Sequence, residues 1–138
     1  MSDRDIWPRI LVSACVSDCL GRVLVTRHPP SMRWHLPDGD LRRGETIADA
    51  VRRSVKEDLG IAVWPEPEPF LVTETIAQYG APHYVTLHVF ARVSVEACAR
   101  IVPAAGIEMR FLAEARAARE SVLASSLAAL RVRFGWRI

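Results

Sequence analysis

Along the 138-residue chain, apolar and polar positions alternate in short runs, with one stretch of helical period set between them. Ile10 to Val16 (ILVSACV) predicts a strand, Ser17 to Gly21 supplies turn chemistry, and Arg22 to Arg27 (RVLVTR) predicts a returning strand. Together they predict a β-hairpin. His28-Pro29-Pro30-Ser31 ends that pattern, because proline lacks the donor that a strand ladder needs. Trp34 to Gly39 (WHLPDG) is a short approach segment closing in a turn. After the helical stretch, Pro65, Pro67 and Pro69 form a stiff connector, Phe70 to Thr75 predicts a strand, and Tyr79-Gly80-Ala81-Pro82 predicts a turn. His83 to Val93 is the longest strand candidate. Val85, Leu87, Val89, Ala91 and Val93 are assigned to one face, and His83 and His88, with Tyr84, Thr86 and Phe90, to the other. Gly106 to Leu112 is a further strand. The alanine-rich tail from Ala113 predicts helix, broken near Glu120-Ser121-Val122 and resumed over Leu123 to Val132. Strands on both sides of a central helix, with a helix at the end, imply a mixed α/β sandwich in one domain spanning residues 1–138.

The central helix is the most sharply marked element. Thr46 is a good N-cap, Asp49 three places on resembles a capping box, and Gly60 is the residue expected just past the C-terminus. On a wheel of about 100° per residue, Ile47, Ala50, Val51, Val55 and Leu59 form one apolar stripe, with Asp49, Arg52 and Lys56 opposite. Asp58 falls inside the stripe and Glu57 at its edge beside Ser54. Burying an unpaired carboxylate is costly, so these two acids need an explanation. In one, Glu57 pairs with Arg53 and Asp58 sits at a frayed helix end. In the other, both converge on a divalent cation of the hard, oxygen-seeking kind. The wheel leaves both open.

Composition narrows the class. Half the residues are apolar and a quarter charged, as in ordinary globular proteins, and a net charge of +2 gives no case for nucleic acid or a membrane surface as partner. Seventeen of the eighteen basic residues are arginine, which with the abundant alanine reads as compositional bias and not as an arginine-built phosphate site. The first residues, MSDRDIWPR, show no signal-peptide pattern, and no apolar run approaches a membrane span. Cys15, Cys19 and Cys98 lack metal spacing and nucleophile motifs, which suits thiols in a reducing cytoplasm.

Gly39, five residues, Glu45, seven residues, then Arg53-Ser54-Val55-Lys56-Glu57-Asp58-Leu59-Gly60-Ile61 resembles the Nudix box, G-x5-E-x7-R-E-U-x-E-E-x-G-U. The lead-in Trp34-His35-Leu36-Pro37-Asp38-Gly39 resembles W-x-L-P-G-G, and Leu24 to Arg27 and Glu108 to Leu112 fall where Nudix proteins place similar strands. The resemblance covers most of the chain. It implies an α/β/α sandwich with a mixed sheet and a MutT-like hydrolase that uses magnesium or manganese to cleave a diphosphate linkage. The substrate would be a nucleotide-like or other small phosphorylated metabolite, and a homodimer would be in keeping with the family. Carried over residue by residue, Glu57 and Asp58 would ligate metal, with the carbonyl at Gly39 as a further ligand. Glu45 and Arg53 would hold loop and helix together.

Three positions depart from the pattern. Asp58 shortens a glutamate by one methylene, and Asp38 replaces the first glycine of the usual pair. Ser54 replaces the first glutamate of R-E-U-x-E-E, a metal ligand and in some members the general base. A hydroxyl is neither at neutral pH, and losing a general base typically costs roughly 10²–10⁴-fold in rate. Another acid could substitute, with Glu74 and Glu108 as candidates; metal binding would otherwise be weak. Alternatives are a Nudix fold repurposed for isomerisation or rearrangement, and a binding domain with little turnover. The isopentenyl diphosphate isomerase branch lacks the same glutamate but carries a cysteine before the box, where this chain has His35. For substrate contact the candidates are Arg27, His35, His83 and His88, each weighed against an ordinary structural role, as is Trp34.

Overall fold

The computed structural model describes residues 8–29, 33–76 and 83–138. Strand β1 (Arg9–Val16) lies at the centre of the larger sheet. It pairs in parallel with β6 (His83–Arg92) and antiparallel with the short β3 (Asp38–Asp40). On the outer side of β6 lie β5 (Leu71–Ile76) and the two-residue β4 (Trp64–Pro65), both antiparallel to it. A second, two-stranded ribbon joins β2 (Val23–Arg27) to β7 (Glu108–Leu112).

The period of two along β1 decides how the layers stack. Val12, Ala14 and Val16 face one way and join Val51, Val55 and Leu59 of helix α1 (Ile47–Leu59), with Val89 and Ala91 of β6. Cys15 faces the other way, into a cluster of Val23, Val25, Trp34, Leu36, Leu112, Leu130 and Trp136 that includes helix α4 (Ala124–Phe134). The central strand is thus buried on both faces, and burial pushes the Cys15 thiol up to about 12, an inert core residue. Between β6 and α4 run two short helices, α2 (Val95–Cys98) and α3 (Glu114–Ala117). Among the described residues no helix is long and apolar enough to cross a membrane.

Helix α1 begins and ends as its sequence dictates. The Thr46 hydroxyl accepts from the Asp49 amide at 3.1 Å, and Gly60 takes the left-handed conformation, φ 71°, that closes the last turn. Its apolar stripe is the buried one. The C-terminal end is not frayed, since the Asp58 and Leu59 carbonyls accept from the Ala104 and Val102 amides at 2.8 and 3.1 Å.

The hairpin expected from β1 and β2 does not form as a ladder. The two strands share only the Ser17–Val23 bridge and the Asp18-centred turn, then diverge. Strand β2 instead takes β7, far along the chain, because Val23 and Val25 must turn toward the α4 cluster. The approach segment also gains partners: Thr26 and His35 exchange both backbone hydrogen bonds, at 2.8 and 2.9 Å. On β6 the alternation corrects one assignment. His83 stands with Val85 and donates to Glu74 at 2.7 Å, on the face opposite His88. The expected turn at Tyr79–Pro82 lies outside the described residues.

Candidate active site

The sequence of the approach segment places it between two partners. Trp34 is buried and its amide donates to the Ser121 carbonyl, its carbonyl accepts from Leu123, and the Leu36 amide donates to Ser126 Oγ at 3.1 Å. The guanidinium groups of Arg27 and Arg110 lie over the Trp34 ring, 4.4 and 4.8 Å from its centre. His35 and Asp38 are thereby presented at the junction of two cavities. One, of about 370 Å³, is bounded by Thr26, His28, His35, Asp38, Asp58 and the 105–107 loop. The other, of about 600 Å³, extends over the β1–β6 face to the start of α4, and His28, His35 and Asp38 border it as well. The two adjoin along that shared border and together are termed the cleft.

Strand alternation sorts the loop residues. Gly39 turns toward α1, where a Cβ would come within 2.7 Å of Ser54 Cβ, so only glycine fits against the helix at that point. Asp38 and Asp40 turn the other way. Asp40 is paired with Arg9 at 2.5 Å, whereas the ion-pair partner of Asp38 among the described residues is the His35 ring, at 3.7 Å. Ser54 is buried beneath Gly39 and borders neither cavity.

The charges of the cleft are unevenly balanced. Burial raises the pKa of Asp58, and the neighbouring Asp38 and Glu57 raise it further against the opposing pull of His28 and His35. Burial likewise raises Asp38, with His35 and His28 opposing it and Asp40 adding to it. A carboxylate at the C-terminal end of a helix also faces the negative end of the macrodipole. Two acids that disfavour one another's ionisation therefore share this end of the cleft. Glu57, more exposed, lies 3.4 Å from Arg53 and 3.9 Å from Arg42. The i−4 pair with Arg53 is thus present, and of the two helix acids Asp58 is the one that lines the smaller cavity.

Arg53 holds the loop to the helix. Its guanidinium donates twice to Glu45, at 2.7 and 3.0 Å, and to the Asp40 carbonyl at 2.6 Å. This forked contact holds the Glu45 carboxyl down to about 2. The His35 Nδ1–H donates to the Leu36 carbonyl at 2.8 Å, which leaves Nε2 as its acceptor in the neutral ring.

The other candidates are distributed differently. His88, 1% exposed, borders the larger cavity and spans the sheet between Ser13 Oγ and Thr73 Oγ1, at 3.1 and 2.8 Å. Burial alone depresses it to about 4, so it is neutral at pH 7. Arg27 pairs with Glu108 at 2.9 Å and stacks on Trp34, away from both cavities. His83, Glu74 and Glu108 likewise border neither. The acids considered as substitutes for Ser54 are thus committed to His83 and Arg27. Two cleft residues were not singled out as site candidates from the sequence: His28, whose ring meets His35 edge-on at 5.5 Å, and Asp38, noted only as a departure from glycine.

Among the described residues no three His, Cys, Asp or Glu side chains converge as a ready-made metal cluster. The donor chemistry nevertheless fits magnesium. That ion commonly takes one or two carboxylates and completes its shell from waters and substrate phosphates.

Known proteins carry the same architecture. The MutT protein from Methanosarcina mazei Go1 superposes with a TM-score of 0.73 at 18% identity, covering 92% of each chain. A NUDIX hydrolase from Nitrosomonas europaea gives 0.76 at 19% identity over 93% of this chain and 89% of its own. A UDP-X diphosphatase gives 0.72 at 16% identity over 96% of this chain and 66% of its own. Curated proteins yield no significant match. The family model described as NUDIX domain matches residues 7–120. With that match spanning most of its length, and with the fold shared over 92–93% of the chain, the protein belongs to the Nudix family and has a Nudix hydrolase fold.

Proposed function

We propose that the protein is a divalent-cation-dependent hydrolase of a diphosphate linkage in a small nucleotide-like or other phosphorylated metabolite. The observation that carries this is Asp58, half-buried at the end of α1 and opposed by a second carboxylate in a cleft. A purely structural helix end gains nothing from such a pair. Asp58, Glu57 and the Gly39 carbonyl would hold magnesium or manganese. When bound, the cation neutralises charge developing on phosphoryl oxygens and activates water.

The chain's own groups do the positioning. Arg53 fixes the loop that carries Gly39 relative to the helix that carries Asp58. Arg9 and Arg33 stand on the border of the larger cavity, where cationic groups suit a phosphorylated substrate. His35, with its tautomer set by the Leu36 carbonyl, offers Nε2 as an acceptor for a proton within the cleft. The test is phosphate or nucleotide release from a panel of diphosphates with magnesium, with manganese and with chelator. Metal-dependent turnover that Asp58→Asn abolishes is expected; a folded protein inert on every member refutes it.

A second proposal is a non-hydrolytic rearrangement on the same fold, favoured by Ser54 lying off the cleft with no carboxylate. Product analysis separates the two: water-derived oxygen enters the product only in hydrolysis.

A further inference from the structure

Two departures from the family motif, Ser54 and Asp38, lie on opposite sides of one residue, Gly39. Ser54 packs against Gly39 from the helix side, and Asp38 precedes it and projects to the cleft side. Ser54 borders neither cavity, while a carboxylate at position 38 lines both. The remaining acids near this end are otherwise engaged. Asp40 is held by Arg9, Glu45 by Arg53, Glu108 by Arg27 and Glu74 by His83. Among the described residues Asp38 has no arginine partner, its ion-pair partner being the His35 ring at 3.7 Å, and it lines the smaller cavity together with Asp58.

We infer that Asp38 supplies the metal-binding carboxylate that position 54 has lost, so that the two departures from the motif are one compensating exchange of a carboxylate from helix to loop. The inference rests on the metal-dependent function proposed above. It accounts for a charged residue where glycine is usual: the side chain is retained beside Asp58 although the pair is mutually unfavourable without a cation between them. It also predicts a donor set in which Asp38 joins Asp58, Glu57 and the Gly39 carbonyl, brought together by the contact between the Asp38–Asp40 strand and α1.

The test measures Mn²⁺ binding directly, by water-proton relaxation, with Mn²⁺ alone and with Mn²⁺ plus imidodiphosphate, a diphosphate that resists cleavage. Wild type, Asp38→Asn, Asp38→Gly and the double variant Asp38→Gly with Ser54→Glu are compared, with thermal melts confirming that each is folded. Asp38→Asn and Asp38→Gly are expected to weaken Mn²⁺ binding at least about ten-fold, the scale of losses seen around metal ligands. Because Asp38→Asn is isosteric and removes a repulsion, it should fold at least as well as wild type. The double variant should recover most of the lost affinity by restoring the acid to the helix. If wild type binds Mn²⁺ and Asp38→Asn binds it equally, the inference is overturned while the proposed function stands. If wild type binds no Mn²⁺ with or without imidodiphosphate, both are overturned.

Discussion

His88 is the group whose burial makes the sharpest quantitative demand on the fold. Its ring is 1% exposed and held between two hydroxyls, and its pKa falls from 6.5 to about 4. The unfolded chain therefore takes up a proton between those values that the folded protein refuses. For a base with a depressed folded pKa, stability is intact above the unfolded value and is lost as pH falls through the window toward the folded one. At 1.36 kcal/mol per unit, the loss relative to pH 7 is about 2 kcal/mol by pH 5 and about 3 kcal/mol by pH 4. Carboxylates titrate in the lower part of this range, so the signal must be a difference. Urea unfolding of wild type and His88→Gln, at half-unit steps from pH 7 to pH 4, isolates it. Glutamine retains hydrogen-bonding groups for Ser13 and Thr73 but carries no titratable proton. Wild type should lose roughly those amounts more than the variant as pH falls. A difference between them that stays flat across the window refutes the account of a buried, neutral imidazole.

Other outcomes follow from the loop and the helix. Gly39→Ala should cost about 1–3 kcal/mol by overpacking, since its Cβ meets Ser54 Cβ at 2.7 Å. Adding Ser54→Gly should return part of that cost in a double-mutant cycle, and strict additivity would show that the contact is not the cause. Asp58→Asn should leave the melting temperature equal or higher while abolishing metal-dependent turnover; a marked drop in melting temperature would make Asp58 a structural residue. Arg53→Lys keeps the charge but cannot span Glu45 and the Asp40 carbonyl together, so kcat should fall more than KM rises. Leu59→Ala, at a fully buried position in the cluster beneath α1, should cost about 2–5 kcal/mol in urea unfolding.

The helix was legible in the sequence because its determinants are local. Thr46, the 3.6-residue stripe and Gly60 specify the start, the buried face and the stop without reference to any other element. The spaced motif likewise joined Glu45 to Arg53, a contact that spans eight residues. The misassigned features depend on partners distant in sequence. Strand β2 resembled half of a hairpin because nothing near it announces β7, whose Glu108 lies opposite Arg27 in the ladder. Arg27 could be weighed only as a phosphate contact against an ordinary strand-end arginine, because its partner Glu108 is equally distant in sequence. The His83 assignment fails for a local reason instead: it lies five positions from His88, and an odd offset along a strand puts side chains on opposite faces. Asp38 was visible as an oddity, but its meaning required knowing that Ser54 stops beneath Gly39 and that Glu74 and Glu108 are engaged elsewhere. The fold family was readable from spacing; the redistribution of charge within it was not.

The triple seam at Trp34, His35 and Leu36 has a consequence for how the protein comes into being. These residues meet β2 on one side and Ser121, Leu123 and Ser126 on the other, and the Leu36–Ser126 hydrogen bond closes a loop of 90 residues. Long closures of this kind form late, because the chain entropy they cost is recovered only when everything between is in place. On the ribosome, the helix and its loop can assemble long before Ser126 has been made, but the wall that carries His35 and Asp38 cannot. Completion of the cleft is therefore deferred to the last part of the described chain to be synthesised. Nascent protein shortened before α4 would keep Asp38 and Asp58 and lose the Ser126 contact that anchors the segment forming the cleft wall.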